Sequence, residues 1–207
     1  MDIKCNFELF GLPASGKSTY AKTINSLNLN QKYLYHKNRF IRNLKKLKLL
    51  LLLIFTKNKL FFKSYHLLKN VKFKSLGKRI KMLVYLDTIL CLSIIYKNKQ
   101  YENYFFDEGL VQVLWGICYN SKYDSEFIKK YLKEFSEYLS DNIIIMDTDF
   151  ALNKDRLLSR SEVGGDELSH DIKINSSAFE RAIKIRDEII QECILLKLKI
   201  KKINGGK

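Results

Sequence analysis

Residues 11–19 read Gly11-Leu12-Pro13-Ala14-Ser15-Gly16-Lys17-Ser18-Thr19 and satisfy G-x-x-x-x-G-K-[ST] at every constrained position. No other stretch of the chain restricts the fold as much. An apolar-rich run over residues 3–10 precedes it and a helical pattern begins at Lys17, so the local order is strand, loop, helix. In that context the backbone N–H groups of residues 14–19 line an anion cradle at a helix N-terminus, where aligned peptide dipoles favour negative charge. Side chains at positions 11 and 16 would obstruct the tight turn or the close approach of a phosphate. Gly11, Ala14, Ser15, Gly16, Lys17, Ser18 and Thr19 are therefore expected to hold a nucleoside triphosphate, with ATP as the first candidate. The Lys17 ammonium would reach the β- and γ-phosphates, and the Ser18 hydroxyl the Mg2+.

Downstream, strands and helices alternate. A short second strand is expected at Tyr33 to Tyr35, and from there to about residue 98 the chain reads as two to four helices with no strand. A strand at Tyr104 to Phe106 is followed by a helix at Leu110 to Cys118. Phe127, Tyr131, Phe135 and Leu139, with Ile128 and Leu132, then mark an amphipathic helix whose apolar stripe should face a sheet. The continuous run Ile143 to Met146 suits a central parallel strand buried on both faces. A charged excursion over 152–171, a helix over 176–194 and a last strand between Leu196 and Ile203 complete the pattern, with no element expected beyond it. This alternation implies an α/β layered fold with right-handed crossovers.

In an open α/β sheet, functional groups gather at the C-terminal ends of the strands. Asp107 and Glu108 stand at such an exit, followed by Gly109. Asp107 is the first candidate to hold Mg2+ through water or to accept a proton from an incoming hydroxyl, and Glu108 the second; either can instead cap the next helix. Arg156 and Arg160 are four apart and share a helix face, which fits bidentate contacts to phosphate oxygens, pairing with Asp155 or Glu162, or a solvated surface. Gly164-Gly165 marks a turn or hinge in the same excursion. Arg39 and Arg42 either contact an acceptor or lie on a solvated helix. Trp115 and the many Phe and Tyr read as core, and His36, His66 and His170 are not spaced as metal ligands.

The formal charge is +15, from 37 Lys and Arg against 22 Asp and Glu. Only 7 of those basic residues are Arg, so a Lys-rich composition explains part of the excess. Its distribution is more telling: residues 31–99 hold 18 basic side chains and one acid, Asp87, whereas the rest is close to neutral. One section of the chain thus looks built to meet an anion. Four scattered Cys, no C-x-x-C pair and no signal-peptide pattern make a reduced, cytoplasmic compartment the expectation. The longest apolar run, Leu49 to Phe55, has seven residues, far short of the roughly 20 that a spanning helix needs.

With these motifs in view, the chain resembles the nucleoside and nucleoside-monophosphate kinase group of P-loop proteins, thymidylate-kinase-like members being nearest. The resemblance is carried by Gly11 to Thr19, by Asp107, and by the segment from Ile143 to Arg160. It implies a three-layer P-loop NTPase fold with a mostly parallel five-stranded sheet and a helical insertion. On that basis residues 1–207 form one domain, with a basic acceptor-side section at 36–99 and a lid-like segment at 152–171. The resemblance also implies that Arg156 opens a helix-and-lid element over the phosphates and Arg160 neutralises transferring charge. Ile203-Asn204-Gly205-Gly206 resembles the last strand and the start of the adenine-side loop. Where the family carries Asp-Arg or Glu-Arg after the third strand, this chain has Asp107-Glu108-Gly109.

The function expected is ATP-dependent phosphoryl transfer to a small-molecule acceptor, a nucleoside or nucleoside monophosphate. Lys17, Asp107, Arg156 and Arg160 are the catalytic candidates, Ser18 and Asp107 the Mg2+ candidates, and Arg39, Arg42 and Glu108 the acceptor candidates. The competing expectation is a nucleotide-binding regulatory protein with weak or no kinase activity, whose basic section meets nucleic acid or an anionic membrane surface. Self-association is open in both.

Overall fold

Phe7–Phe10 forms strand β1, every residue of it buried. The structure, a computed structural model, describes residues 7–24, 58–73, 76–97, 105–161 and 167–205. After β1 and the glycine loop comes α1 (Lys17–Ile24). The helices α2 (Asn58–Lys69) and α3 (Leu76–Lys97) flank a two-residue strand β2 (Lys72–Phe73). Then follow β3 (Phe105–Phe106), α4 (Leu110–Tyr119), β4 (Ser121–Lys122) and α5 (Ser125–Glu134). The last part comprises β5 (Asn142–Asp147), α6 (Phe150–Ser161), α7 (Glu167–Ile174), α8 (Ser177–Leu195) and β6 (Lys199–Asn204).

Four strands make a parallel sheet in the order β3-β1-β5-β6, with Glu8 opposite Phe106 on one side and Ile143 on the other. Alternation along β1 assigns its two faces. Phe7 and Leu9 pack with Ala21 and Ile24 of α1, while Phe10 joins the large cluster built from α4, α5 and α8. The result is helix, sheet, helix. At the β6 edge, exposed Lys199, Lys201 and Lys202 flank half-buried Ile200 and Ile203, the kind of charged edge that discourages pairing with another chain.

Among the described residues the sheet has four parallel strands, and the strand expected at Tyr33 to Tyr35 lies outside them. A separate two-stranded antiparallel ladder pairs Lys72 with Lys122 and Phe73 with Ser121. Its β2 corrects the expectation that the basic section holds no strand. Two residues are too short to show alternation; what anchors them is Phe73, buried and stacked on the Tyr85 ring at 6.4 Å between centroids.

The amphipathic helix is also shorter than its periodicity predicts. Asp124 caps it by accepting the Phe127 N–H at 2.8 Å, a contact worth about 1 kcal/mol, but it ends at Glu134 and tightens into a 3-10 turn at Ser136–Tyr138. Its stripe stays buried through Phe135 and Leu139 and packs against α4 and α8. In the basic section, α2 and α3 bury Leu67, Leu68, Leu86, Ile89 and Leu90 and leave Lys59 and Lys69 exposed. Among the described residues no helix is long and apolar enough to cross a membrane.

Candidate active site

The glycine loop closes on itself before it can close on a ligand. Ser15 N–H donates to the Leu12 carbonyl at 3.2 Å, and the Tyr20 N–H to Gly16 O at 2.9 Å starts α1. Ala14 sits at φ +65° and Gly16 at φ +92°, so the turn needs two left-handed residues in three and one of them carries a side chain. A Cβ at Gly11 would lie 2.8 Å from both Met146 O and Ser15 Oγ, and one at Gly16 would lie 3.0 Å from Gly205 O. Both glycines of the motif are thus set by close approach.

Lys17 is buried, and its ammonium donates to Gly11 O at 2.8 Å and Leu12 O at 2.9 Å. Ser18 and Thr19 are exposed at the start of α1. Asp107, at the exit of β3, is half-buried, and its Oδ1 is buried with no hydrogen-bond partner among the described residues. Burial raises its carboxyl above the ordinary Asp range, and the nearby Lys17 charge opposes that rise. Glu108 is exposed. The first turn of α4 is capped by neither acid at the Val111 N–H, which donates instead to Glu8 Oε1 at 2.9 Å.

Three further segments converge on the loop. The Gly11 N–H donates to Gln112 Oε1 at 3.3 Å, Thr148 Oγ1 donates to Ser15 O at 2.8 Å, and Asn153 Nδ2 donates to Pro13 O at 3.0 Å. Asp149 caps α6 by accepting the Ala151 and Leu152 N–H groups. From α6 Arg156 reaches across to donate to Gly205 O at 3.2 Å. Gly205 N–H in turn donates to Asp147 O at 2.9 Å, and a Cβ on Gly205 would collide with Ser15 O and Thr148 Oγ1. The ends of β5 and β6 are thereby tied to the loop through backbone contacts.

Of the residues read from the sequence, the structure gathers Gly11 to Thr19, Asp107 and Arg156 into one place. Arg160 is exposed one turn further along α6. Arg39, Arg42 and Gly164-Gly165 lie outside the described residues. Glu8, Gln112, Thr148 and Asn153 were missed. Glu8 and Gln112 each carried a signal, being polar residues inside otherwise apolar segments, Phe-Glu-Leu-Phe and Leu-Val-Gln-Val-Leu. Thr148 and Asn153 act through backbone carbonyls and leave no such mark.

The buried Ser15 Oγ and Asp107 Oδ1, both without hydrogen-bond partners among the described residues, together with the room kept by the two glycines, fit a Mg2+-nucleotide. Beside the loop, Asp147, Thr148, Asp149, Phe150, Arg186 and Asn204 border an open cavity of about 500 Å3 at the ends of β5 and β6.

No protein-family model matches the chain, and no curated protein matches it. Solved structures do. A deoxyadenosine kinase from M. mycoides with bound dATP shares 17% identity and a TM-score of 0.56, covering 97% of this chain and 91% of that one. The same enzyme with products dCMP and a flexible dCDP gives 16% identity, a TM-score of 0.52, and 97% and 90% coverage. The chain shares the fold of these structures. The likeness runs over nearly the whole chain, so the shared fold takes in the helices α2 and α3 as well as the loop.

Proposed function

We propose that the chain is a phosphotransferase that moves the γ-phosphoryl group of Mg2+-ATP to a nucleoside or nucleoside monophosphate. The observation that carries this reading is the unpartnered Asp107 carboxylate oxygen held beside Lys17 at the mouth of a complete phosphate loop. The solved structures that match over nearly the whole chain are of a deoxyadenosine kinase, which favours a deoxynucleoside acceptor over the thymidylate-kinase-like one first expected.

In this mechanism the N–H groups of residues 14–19 receive phosphate oxygens, and the Lys17 ammonium leaves two neutral carbonyls for a charged partner. A charge-assisted hydrogen bond is roughly twice as strong as a neutral one, so the exchange is favourable. Mg2+ would be held by Ser18 and, through water, by Asp107, and would supply charge neutralisation for the phosphates. Alternatively Asp107 receives the acceptor hydroxyl's proton. Burial raises its carboxyl, which is the direction that favours a general base. Arg156 and Arg160 provide positive charge for the transferring group. Arg39, Arg42 and Glu108 orient the acceptor.

The test is a panel of deoxynucleosides and nucleoside monophosphates with Mg2+-ATP and purified protein. Phosphorylation of a deoxynucleoside is expected. The reading fails if no acceptor turns over while Lys17→Ala leaves ATP affinity unchanged. ATP binding that is lost in Lys17→Ala, with no turnover of any acceptor, would instead favour a nucleotide-binding regulatory protein.

A further inference from the structure

Glu8 is a carboxylate where the sheet interior should hold an aliphatic side chain. It lies in β1 between two parallel neighbours, 1% exposed, and burial pushes its carboxyl up to about 8. A buried polar group costs stability unless it is well bonded, so its contacts are the place to look for its use. It accepts the N–H of Val111 at 2.9 Å and bonds the Leu110 N–H, both at the start of α4. Four N–H groups at a helix N-terminus lack internal partners, and Glu8 takes two of them from a strand about a hundred residues away.

Gly109 completes the contact. A Cβ there would collide with the Glu8 carboxylate and Cβ, so the carboxylate fits only against a glycine. Two residues before Gly109 stands Asp107, and three after it stands Gln112, whose Oε1 accepts the Gly11 N–H. One backbone turn therefore presents both side chains to the phosphate loop, and Glu8 is what pins that turn. The other titratable groups that bear on Glu8 are Tyr131 of α5 and Cys193 of α8; burial pushes both upward, so both stay neutral.

We infer that Glu8 is a positioning residue for phosphoryl transfer: its carboxylate clamps the start of α4 against Gly109 and so sets where Asp107 and Gln112 meet the phosphate loop. This rests on the phosphotransferase reading above. Asp107 would be misplaced by an ångström or so without the clamp, and a shift of that size costs on the order of 100-fold in rate when a reacting group is involved.

Three variants test it. Glu8→Gln keeps the shape and one acceptor oxygen; Glu8→Asp keeps the carboxyl group but withdraws it by one methylene; Glu8→Leu removes the acceptor. Wild-type turnover of deoxyadenosine, deoxycytidine and dTMP with Mg2+-ATP is measured first, and an inactive wild type overturns the reaction class. With an active wild type, Glu8→Asp is expected to lower kcat at least about 10-fold with the KM for ATP within about twofold, and Glu8→Gln to restore most of it. Amide hydrogen exchange gives a readout independent of turnover: Leu110 and Val111 should lose protection in Glu8→Asp and keep it in Glu8→Gln. Unchanged kcat or unchanged protection in Glu8→Asp overturns the clamp alone, as does a Gln variant no better than Asp. Glu8→Leu, if it folds, should match Asp or fall lower; activity equal to wild type overturns the proposal.

Discussion

The phosphate loop and the basic helices α2 and α3 solve opposite problems. Around the loop nearly every position is set by backbone: Gly11 by Met146 O, Gly16 by Gly205 O, Gly205 by Ser15 O, and the carbonyls of Pro13 and Ser15 by Asn153 and Thr148. In α2 and α3 the apolar stripe is set by packing, while lysines such as Lys59 and Lys69 stand in solvent. Lys63, half-exposed, pairs with Glu134 at 3.0 Å, a surface bridge worth well under 1 kcal/mol. The lesson is that equal numbers of charges can carry unequal amounts of chemistry: one buried lysine in a strained turn constrains more than several on a helix face.

The sharpest way to break that contrast is a pair of charge changes. Lys17→Ala is expected to lower kcat by about 100- to 1,000-fold, the loss usual for one donor to developing charge. Lys59→Glu, on exposed α2, should leave kcat for the same acceptor within twofold, because surface substitutions usually stay within about 0.5 kcal/mol. Equal losses in steady-state assays would show that the basic helices belong to the reacting site.

Gly205→Ala comes next. Its Cβ has no room between Ser15 O and Thr148 Oγ1, both held in place, so a loss of about 2–3 kcal/mol in unfolding free energy and weakened ATP binding are expected. Normal stability in denaturant titrations would mean that the loop yields more easily than its contacts imply.

A pH series separates Glu8 from the loop. Its carboxyl is raised from an ordinary value of 4.5 to about 8 in the folded chain. Between these values the folded state binds the extra proton, so the Glu8 contribution to stability is greatest at the acid end of the window and falls as pH rises towards 8. Thermal melts should show Tm falling over pH 5–8 more steeply in wild type than in Glu8→Gln. Parallel curves would remove Glu8 as the source.

The smallest effect is expected at Ala14. An L-residue at φ +65° costs about 1–2 kcal/mol, which Ala14→Gly relieves, while glycine frees the unfolded chain by roughly 0.4–1 kcal/mol. A net gain of about 0 to 1.6 kcal/mol should appear in denaturant titration, and a loss would show that the turn prefers its methyl group.

Local pattern made the loop, β5 and Asp107 readable, because a motif of nine contiguous residues and an unbroken apolar run report their own surroundings. The four-residue spacing also marked Arg156, which the structure brings to the β6 exit; the resemblance added only its role in transfer, which is a matter for kinetics. What stayed hidden was held by distance. Gln112 and Glu8 act across more than a hundred residues of chain, and Thr148 and Asn153 bond carbonyls whose positions depend on tertiary packing. Periodicity also overran the end of α5, since Phe135 and Leu139 remain buried after the helix has stopped, and the hydrophobic pattern records burial rather than helicity.

The Lys17 ammonium, seated on Gly11 O and Leu12 O, has a thermodynamic consequence. A lysine waving in solvent would surrender about 2 kcal/mol of rotamer entropy on meeting a phosphate. Here that ordering takes place as the chain folds, so nucleotide association need only redirect a side chain that is already still, and the observed affinity measures a swap of partners rather than the capture of a free cation.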